Sequence, residues 1–176
     1  AIAVELGVDP ARVDGRMRAL VSPPGRMAVH ELTGGVKVLD DSYNSSPPAL
    51  KAALETLAMQ PGKGRKIAVL GTMRELGSRE EEIHRSVGAQ LGRNTVDLVV
   101  GVGQGGSWIA DEAEALGIPT LRGADAATTG PLLLPHVLPG DCILLKASRA
   151  EGLETVLASL LEWTRKSPLE ALEESC

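Results

Sequence analysis

The 176-residue chain fits one domain, or one domain with a fragment of another, and 43% hydrophobic residues at a mean hydropathy of +0.04 suffice for a full core, which excludes intrinsic disorder. Tyr43, Trp108 and Trp163 are its only aromatic residues of the Phe, Trp and Tyr type, so the core must be Leu, Val, Ile and Ala, and a base-stacking platform for single-stranded nucleic acid is excluded. Eighteen Lys and Arg against 23 Asp and Glu give a formal charge of −5, with Glu170, Glu173 and Glu174 in the last ten residues, and no basic stripe is left to bind a nucleic-acid backbone.

Asp9-Pro10 sets a capping residue before a proline at the first helical position, and Val13, Met17 and Leu20 follow at helical spacing. Ser22-Pro23-Pro24-Gly25 cannot continue that helix and marks a domain boundary. Met27–Leu32 and Val36–Asp40 read as short strands joined through Thr33-Gly34-Gly35, a hairpin signal. Pro47-Pro48 opens a helix carrying Leu50, Ala53, Leu54 and Leu57, which closes near Pro61-Gly62. Lys66–Leu70 is a buried strand, and Ser78 with Glu81 predicts a capping box for a helix carrying Ile83, Val87 and Leu91. Strand Asp97–Val102 precedes helix Ser107–Leu116, and the short strand Thr120-Leu121 precedes a helix capped by Asp125 and reaching Leu134. Cys142–Lys146 is the last strand and Gly152–Lys166 the last helix. Strands that alternate with helices and run continuously apolar predict an α/β, Rossmann-like doubly wound sheet. It has about six mostly parallel strands and one antiparallel edge strand.

Two cysteines, Cys142 in an apolar run and Cys176 at the last position, make neither a disulfide framework nor a zinc cluster and suit a reducing cytosol. No apolar run approaches the roughly 18 residues of a membrane span, and Ala1–Glu5 carries no basic region or cleavage site. The missing initiator methionine suggests a piece of a longer protein.

In an open α/β sheet, ligands lie beyond the carboxyl ends of the strands, which directs attention to four loops. After Leu39, Asp40-Asp41-Ser42-Tyr43-Asn44-Ser45-Ser46-Pro47 offers carboxylates for ribose hydroxyls and a phenol and amide for a purine. The same residues also suit a polar turn satisfied by its own Asx and Ser side chains. After Leu70, Gly71–Gly77 reads as a structural turn, with His84 on the next helix either facing the cleft or packing. After Val100, Gly101-Val102-Gly103-Gln104-Gly105-Gly106 matches G-x-G-x-x-G between strand and helix, with Asp125 some twenty residues on. That pattern supports a rival reading, a stand-alone dinucleotide-binding module, although Asp125 reads as a helix cap rather than a strand-end acid. After Leu145, Lys146-Ala147-Ser148-Arg149 places two cations and a hydroxyl where a carboxylate or phosphate would be received, against the local helix dipole. No G-x-x-x-x-G-K-[ST] loop occurs, so the phosphates of a bound ATP and their metal ligands must be held by another domain.

Pro24-Gly25-Arg26-Met27, the blocks VHEL (Val29–Leu32) and GGVKVLDDSYNSSP (Gly34–Pro47), then VLGTMRELG (Val69–Gly77), EEIHRSVG (Glu81–Gly88) and GDCILLKASR (Gly140–Arg149) resemble the C-terminal domain of the Mur ligases, from about Arg16 to Glu162. The DDSYN block is its most specific element and resembles the branch that adds D-alanyl-D-alanine to UDP-N-acetylmuramoyl-tripeptide. The resemblance implies a cytoplasmic peptidoglycan-precursor ligase whose other domains hold the UDP-sugar and the ATP phosphates. ATP with Mg²⁺ activates a peptide carboxylate as an acyl phosphate, the D-Ala-D-Ala amine attacks it, and an amide, ADP and phosphate result. Residues 1–22 then become the end of the ATPase domain, 23–166 the C-terminal domain and 167–176 a flexible acidic tail, and the fragment alone is expected to be inactive.

By position, the resemblance implies that Arg26 reaches ATP on closure and stabilises the transferring phosphate, and that Asp41, Tyr43 and Asn44 contact adenosine. It implies that Lys146, Ser148 and Arg149 meet the dipeptide carboxylate, Arg149 bidentately. Three residues depart from the family pattern: Thr72 replaces an Asp and carries no charge-based role, Ser46 replaces Asn, and Ala147 replaces Gly and would narrow the dipeptide pocket.

Overall fold

The computed structural model describes residues 22–92 and 95–166, together with Glu5, residues 7–9 and Val13. The expected N-terminal helix therefore lies almost wholly outside the described residues, and the acidic tail 167–176 entirely so.

Strands β1 (Ala28–Glu31) and β2 (Lys37–Asp40) pair antiparallel, with Val29 opposite Leu39. The 3-10 turn Thr33–Gly35 joins them, and Gly34 and Gly35 adopt φ of 71° and 69° there, values that L side chains resist. The chain then alternates through α1 (Pro47–Ala58), β3 (Lys66–Leu70), α2 (Glu80–Ala89), β4 (Leu98–Val102), α3 (Gly103–Ala115), β5 (Thr120–Gly123), α4 (Ala126–Leu133), β6 (Cys142–Lys146) and α5 (Glu154–Lys166). The six-stranded sheet runs β1-β2-β6-β3-β4-β5, and every pairing except β1–β2 is parallel. This is the mostly parallel sheet with one antiparallel edge strand that the sequence predicts.

Alternation along the strands divides the core into two layers. Val38, Ile67, Val69, Val100, Ile143 and Leu145 face one side, where Ala126 and Leu133 of α4 and Val156 and Leu160 of α5 cover them. Leu39, Ala68, Leu70, Val99 and Leu144 face the other, beneath Leu50, Ala53, Leu54 and Leu57 of α1 and Ile109, Ala110 and Ala113 of α3. Ile83 and Val87 of α2 pack against this second layer.

Three helix starts differ from expectation. Ser78 forms no capping box: it lies in a 3-10 turn, and α2 begins at Glu80 with no side-chain cap. Glu80, Glu81 and Glu82 fill the first turn instead, where negative charge complements the helix dipole. Helix α3 begins at Gly103 rather than Ser107, so most of the glycine-rich segment is helix and not loop. Helix α5 begins at Glu154, because Gly152 at φ 66° closes a 3-10 turn over Arg149–Glu151 first. Asp125 caps α4 as expected, accepting the Thr128 N–H at 2.8 Å.

Gly106 of α3 lies so close to the ends of β3 and β4 that an added Cβ would collide with the Leu70 carbonyl and crowd Gly101. We expect Gly106→Ala to destabilise the chain by about 1–3 kcal/mol, read as a fall in Tm of roughly 2–4 °C per kcal/mol. Cys142 is 3% exposed, and burial pushes its thiol above the ordinary range. In a Cys176→Ser chain Ellman's reagent should therefore find no reactive thiol in the native state at pH 8 and one after guanidinium unfolding.

Candidate functional site

β2 and β6 are neighbours, yet the chain leaves β2 for α1 on one face of the sheet and leaves β6 for α5 on the other. Loops that diverge in this way open a crevice at the carboxyl ends of the two strands. A cavity of about 220 Å³ occupies it, lined by Gly25, Arg26, Asp41, Tyr43, Asn44, Ser45, Ser46, Ala49 and Lys146. Residues from the segment before β1, the β2–α1 loop and the end of β6 thus share one hollow. Enclosed small-molecule sites usually run to about 300–1,000 Å³, so this cavity matches part of a nucleotide rather than all of it.

Lys146 ends β6 with 2% exposure, and its ammonium is satisfied entirely by the β2–α1 loop. Its Nζ donates to Asp41 Oδ2 at 2.6 Å, to the Asn44 carbonyl at 2.9 Å and, more weakly, to the Asp41 carbonyl at 3.5 Å. A buried cation must find such partners, so the pair fixes the loop to the strand. The Asp41 side chain remains 21% exposed, which leaves it open to a ligand from the cavity side.

Tyr43, 41% exposed, presents its ring at the rim. The Arg26 guanidinium lies 4.3 Å from the ring centroid and that of Arg149 5.3 Å from it. Among the described residues neither arginine pairs with a carboxylate, so two free cations flank one aromatic ring. The Ser45 hydroxyl is buried in the same wall without a hydrogen-bond partner among the described residues. An aromatic platform, a part-exposed carboxylate, an amide, an orphan hydroxyl and unpaired cations together suit a nucleoside with attached anionic groups.

Other residues singled out from the sequence lie elsewhere or are already committed. His84 does not face the crevice: it is fully buried, with Nε2 accepting the Met73 N–H at 2.8 Å. Its Nδ1 is therefore the protonated nitrogen and donates to the Glu80 carbonyl at 2.6 Å. Ser148 is 4% exposed; its Oγ accepts the Arg74 N–H at 2.9 Å and its N–H donates to the Thr72 carbonyl at 2.9 Å. Ala147 does not narrow a pocket: it is fully buried, and a Cβ on Gly71 would come 2.7 Å from its methyl group. Arg149 alone of the β6 trio presents a free group, and it does so from a 3-10 turn rather than from a helix N-terminus.

The glycine-rich segment is taken up by packing. A Cβ at Gly105 would come 2.5 Å from His84 Nε2, and one at Gly103 would come 2.8 Å from Glu151 Oε2. The Glu151 carboxylate, itself paired with Arg74 at 3.3 Å, thus covers the N-terminus of α3 where a pyrophosphate would sit. The dinucleotide reading loses its phosphate site on both counts. Among the described residues no three His, Cys, Asp or Glu side chains cluster to hold a metal ion.

Two residues have a part at the site that the sequence reading did not assign: Asp40, read there with Asp41 as a carboxylate for ribose, and Gly25. Asp40 is buried and its carboxylate accepts the Gly25 N–H at 2.9 Å, while Gly25 returns its carbonyl to the Tyr43 N–H at 2.9 Å. Strand alternation, which puts Asp40 on the inward side with Val38, was the available signal for it.

The Mur ligase glutamate ligase domain family matches residues 25–149. The UDP-N-acetylmuramoyl-tripeptide–D-alanyl-D-alanine ligase of Bacillus subtilis strain 168 is 31% identical over 165 residues, which cover 92% of this chain and 36% of the relative. The same-named ligase of Mycobacterium leprae is 38% identical over 145 residues, covering 73% of this chain and 28% of the relative. Among solved structures, the MurF ligase of Thermotoga maritima in complex with ADP superposes with a TM-score of 0.73 at 32% identity, covering 94% of this chain and 36% of that one. The chain spans about a third of the length of these relatives.

Lys146→Met strands the Asp41 carboxylate without its ammonium. Removing one partner of a fully buried pair costs about 3–5 kcal/mol, and the solvent reaching Asp41 brings the expected loss to about 2–4 kcal/mol in guanidinium unfolding. The Asp41→Asn/Lys146→Met double variant should be more stable than Lys146→Met alone, since no unpaired charge remains.

Proposed function

Because this chain belongs to the Mur ligase glutamate ligase domain family, we propose that it is the C-terminal domain of an ATP-dependent ligase that joins D-alanyl-D-alanine to UDP-N-acetylmuramoyl-tripeptide. The single observation that supports this most strongly is the hollow that Arg26, Asp41, Tyr43 and Lys146 share at the β2/β6 crevice. It is the size of a half-site, which suits a domain that closes over adenosine while the remaining two-thirds of the enzyme holds the triphosphate and the UDP-sugar.

In this reading Tyr43 and Asn44 pack against the purine, and Asp41 accepts from the ribose hydroxyls through the face that Lys146 leaves open. Arg26, at the rim with no carboxylate partner among the described residues, meets the phosphate chain on closure and neutralises charge as the γ-phosphoryl passes to the peptide carboxylate. The resulting acyl phosphate is attacked by the amine of D-alanyl-D-alanine, and collapse of the tetrahedral intermediate releases phosphate and leaves the amide. Arg149 takes the dipeptide carboxylate in a forked contact. Lys146 and Ser148, whose polar groups are committed to neighbouring loops, serve that contact by holding the segment that carries Arg149. Mg²⁺ would supply neutralisation of phosphate charge in such a reaction, and among the described residues no cluster of His, Cys, Asp or Glu would hold it. We place the enzyme in the cytoplasm, where ATP is available; no helix among the described residues is long and apolar enough to cross a membrane.

In the full-length enzyme Asp41→Ala should raise KM for ATP about tenfold, a loss of about 1.4 kcal/mol, and leave KM for the dipeptide near wild type. Arg149→Ala should do the reverse. Equal effects on both constants, or none, would remove the assigned roles. The 176-residue chain by itself should release no phosphate from ATP in the presence of both peptide substrates, measured by a coupled phosphate assay.

A further inference from the structure

We propose that Asp40 is the positioning residue that holds Arg26 over the nucleotide half-site, so that the segment entering the domain and the adenosine loop act as one unit. The inference rests on the proposed ligase reading for its catalytic consequence and on geometry alone for the placement.

Asp40 is 3% exposed, and no Lys, Arg or His pairs with it among the described residues. An ionised carboxylate in that position is costly unless its lone pairs are satisfied, and three donors satisfy them. Oδ2 takes the Gly25 N–H at 2.9 Å; Oδ1 takes the Ser42 N–H at 3.2 Å and the Ser42 hydroxyl at 2.5 Å. One carboxylate therefore bridges the segment before β1 and the loop after β2. Gly25 closes the bridge from the other side through its carbonyl on the Tyr43 N–H. It adopts φ 71°, and a Cβ there would come 3.0 Å from Tyr43 N and 3.1 Å from Tyr43 Cβ. The residue after this pinned glycine is Arg26, with its guanidinium over the Tyr43 ring.

The next residue, Met27, is held at φ 55°, a conformation that a non-glycine side chain keeps only where its surroundings over-determine it. The Asp40 bridge supplies that constraint on one flank of Arg26 and strand β1 on the other. A carboxamide cannot reproduce the carboxylate: its NH₂ faces either the Gly25 N–H or Ser42, whose hydroxyl can turn to accept from it but whose N–H cannot. Asp40→Asn therefore leaves either the Gly25 N–H or the Ser42 N–H without its acceptor while preserving shape.

The test has two parts. In the 176-residue chain, contacts between the Arg26 side chain and the Tyr43 ring are read by NOE; they should be strong in wild type, lost in folded Asp40→Asn and retained in Asp41→Asn. In the full-length enzyme, Asp40→Asn should raise KM for ATP and lower kcat in the same proportion as Arg26→Ala. The Asp40→Asn/Arg26→Ala double variant should then be no worse than Arg26→Ala, because a residue acting through Arg26 has nothing left to position. Additive losses in the double variant, NOE contacts that survive in Asp40→Asn, or wild-type kinetics in that variant would each overturn the proposal. Should Asp40→Asn fail to fold, Gly25→Ala attacks the same bridge from the other side and must give the same NOE loss and kinetic pattern. A wild-type enzyme that makes no amide would sink the ligase reading instead, while the NOE result would still decide the placement.

Discussion

Lys146 carries its ammonium into the interior at the end of a central strand, and the arrangement of the rim follows from the need to satisfy it. Its partners are two backbone carbonyls and one carboxylate, all from the loop after β2. A strand end thereby dictates the path of a loop that precedes it by a hundred residues. That path leaves Tyr43 exposed at the rim, next to Asp40, whose inward direction strand alternation sets. Through Asp40 and Gly25 it extends to the entry segment and Arg26.

The sheet makes this arrangement available by placing β6 between β2 and β3. Since α1 and α5 leave neighbouring strands toward opposite faces, no helix covers the junction, and side chains there are free to meet a ligand. The cations at the junction divide by environment. Lys146 is buried and neutralised; Arg26 and Arg149 are exposed and, among the described residues, pair with no carboxylate. Only the second kind has charge to offer an anion.

The other half of the rim is built on the opposite principle. Around β3 and β4 neighbouring backbone and side chains crowd so closely that Gly71, Gly101, Gly105 and Gly106 have no room for side chains of their own. His84 fills the remaining space: its Nε2 ties the β3 loop to α2 through the Met73 N–H, its Nδ1 donates within α2 to the Glu80 carbonyl, and Glu151 covers the start of α3. A glycine pattern that resembles a phosphate cradle in one dimension is, in three, a close-packed joint that keeps the neighbouring rim rigid.

The sequence by itself determined the architecture, because hydrophobic period and turn chemistry are local. Apolar runs at Lys66–Leu70, Leu98–Val102 and Cys142–Lys146 have no alternation to spare for solvent, and the prolines and glycines between them punctuate every helix. It also placed Asp41, Tyr43 and Arg149 among the candidates, since polar residues at strand ends are legible from position alone. Only the tertiary structure decided which polar groups were free. Whether His84 or Ser148 is spent on a backbone partner, which donors satisfy the Asp40 carboxylate, and whether a glycine serves a ligand or a neighbour are outcomes of contacts between residues far apart in sequence. Those contacts are fixed by burial and by the obligation of every buried polar atom to find a partner, and neither is written in local spacing.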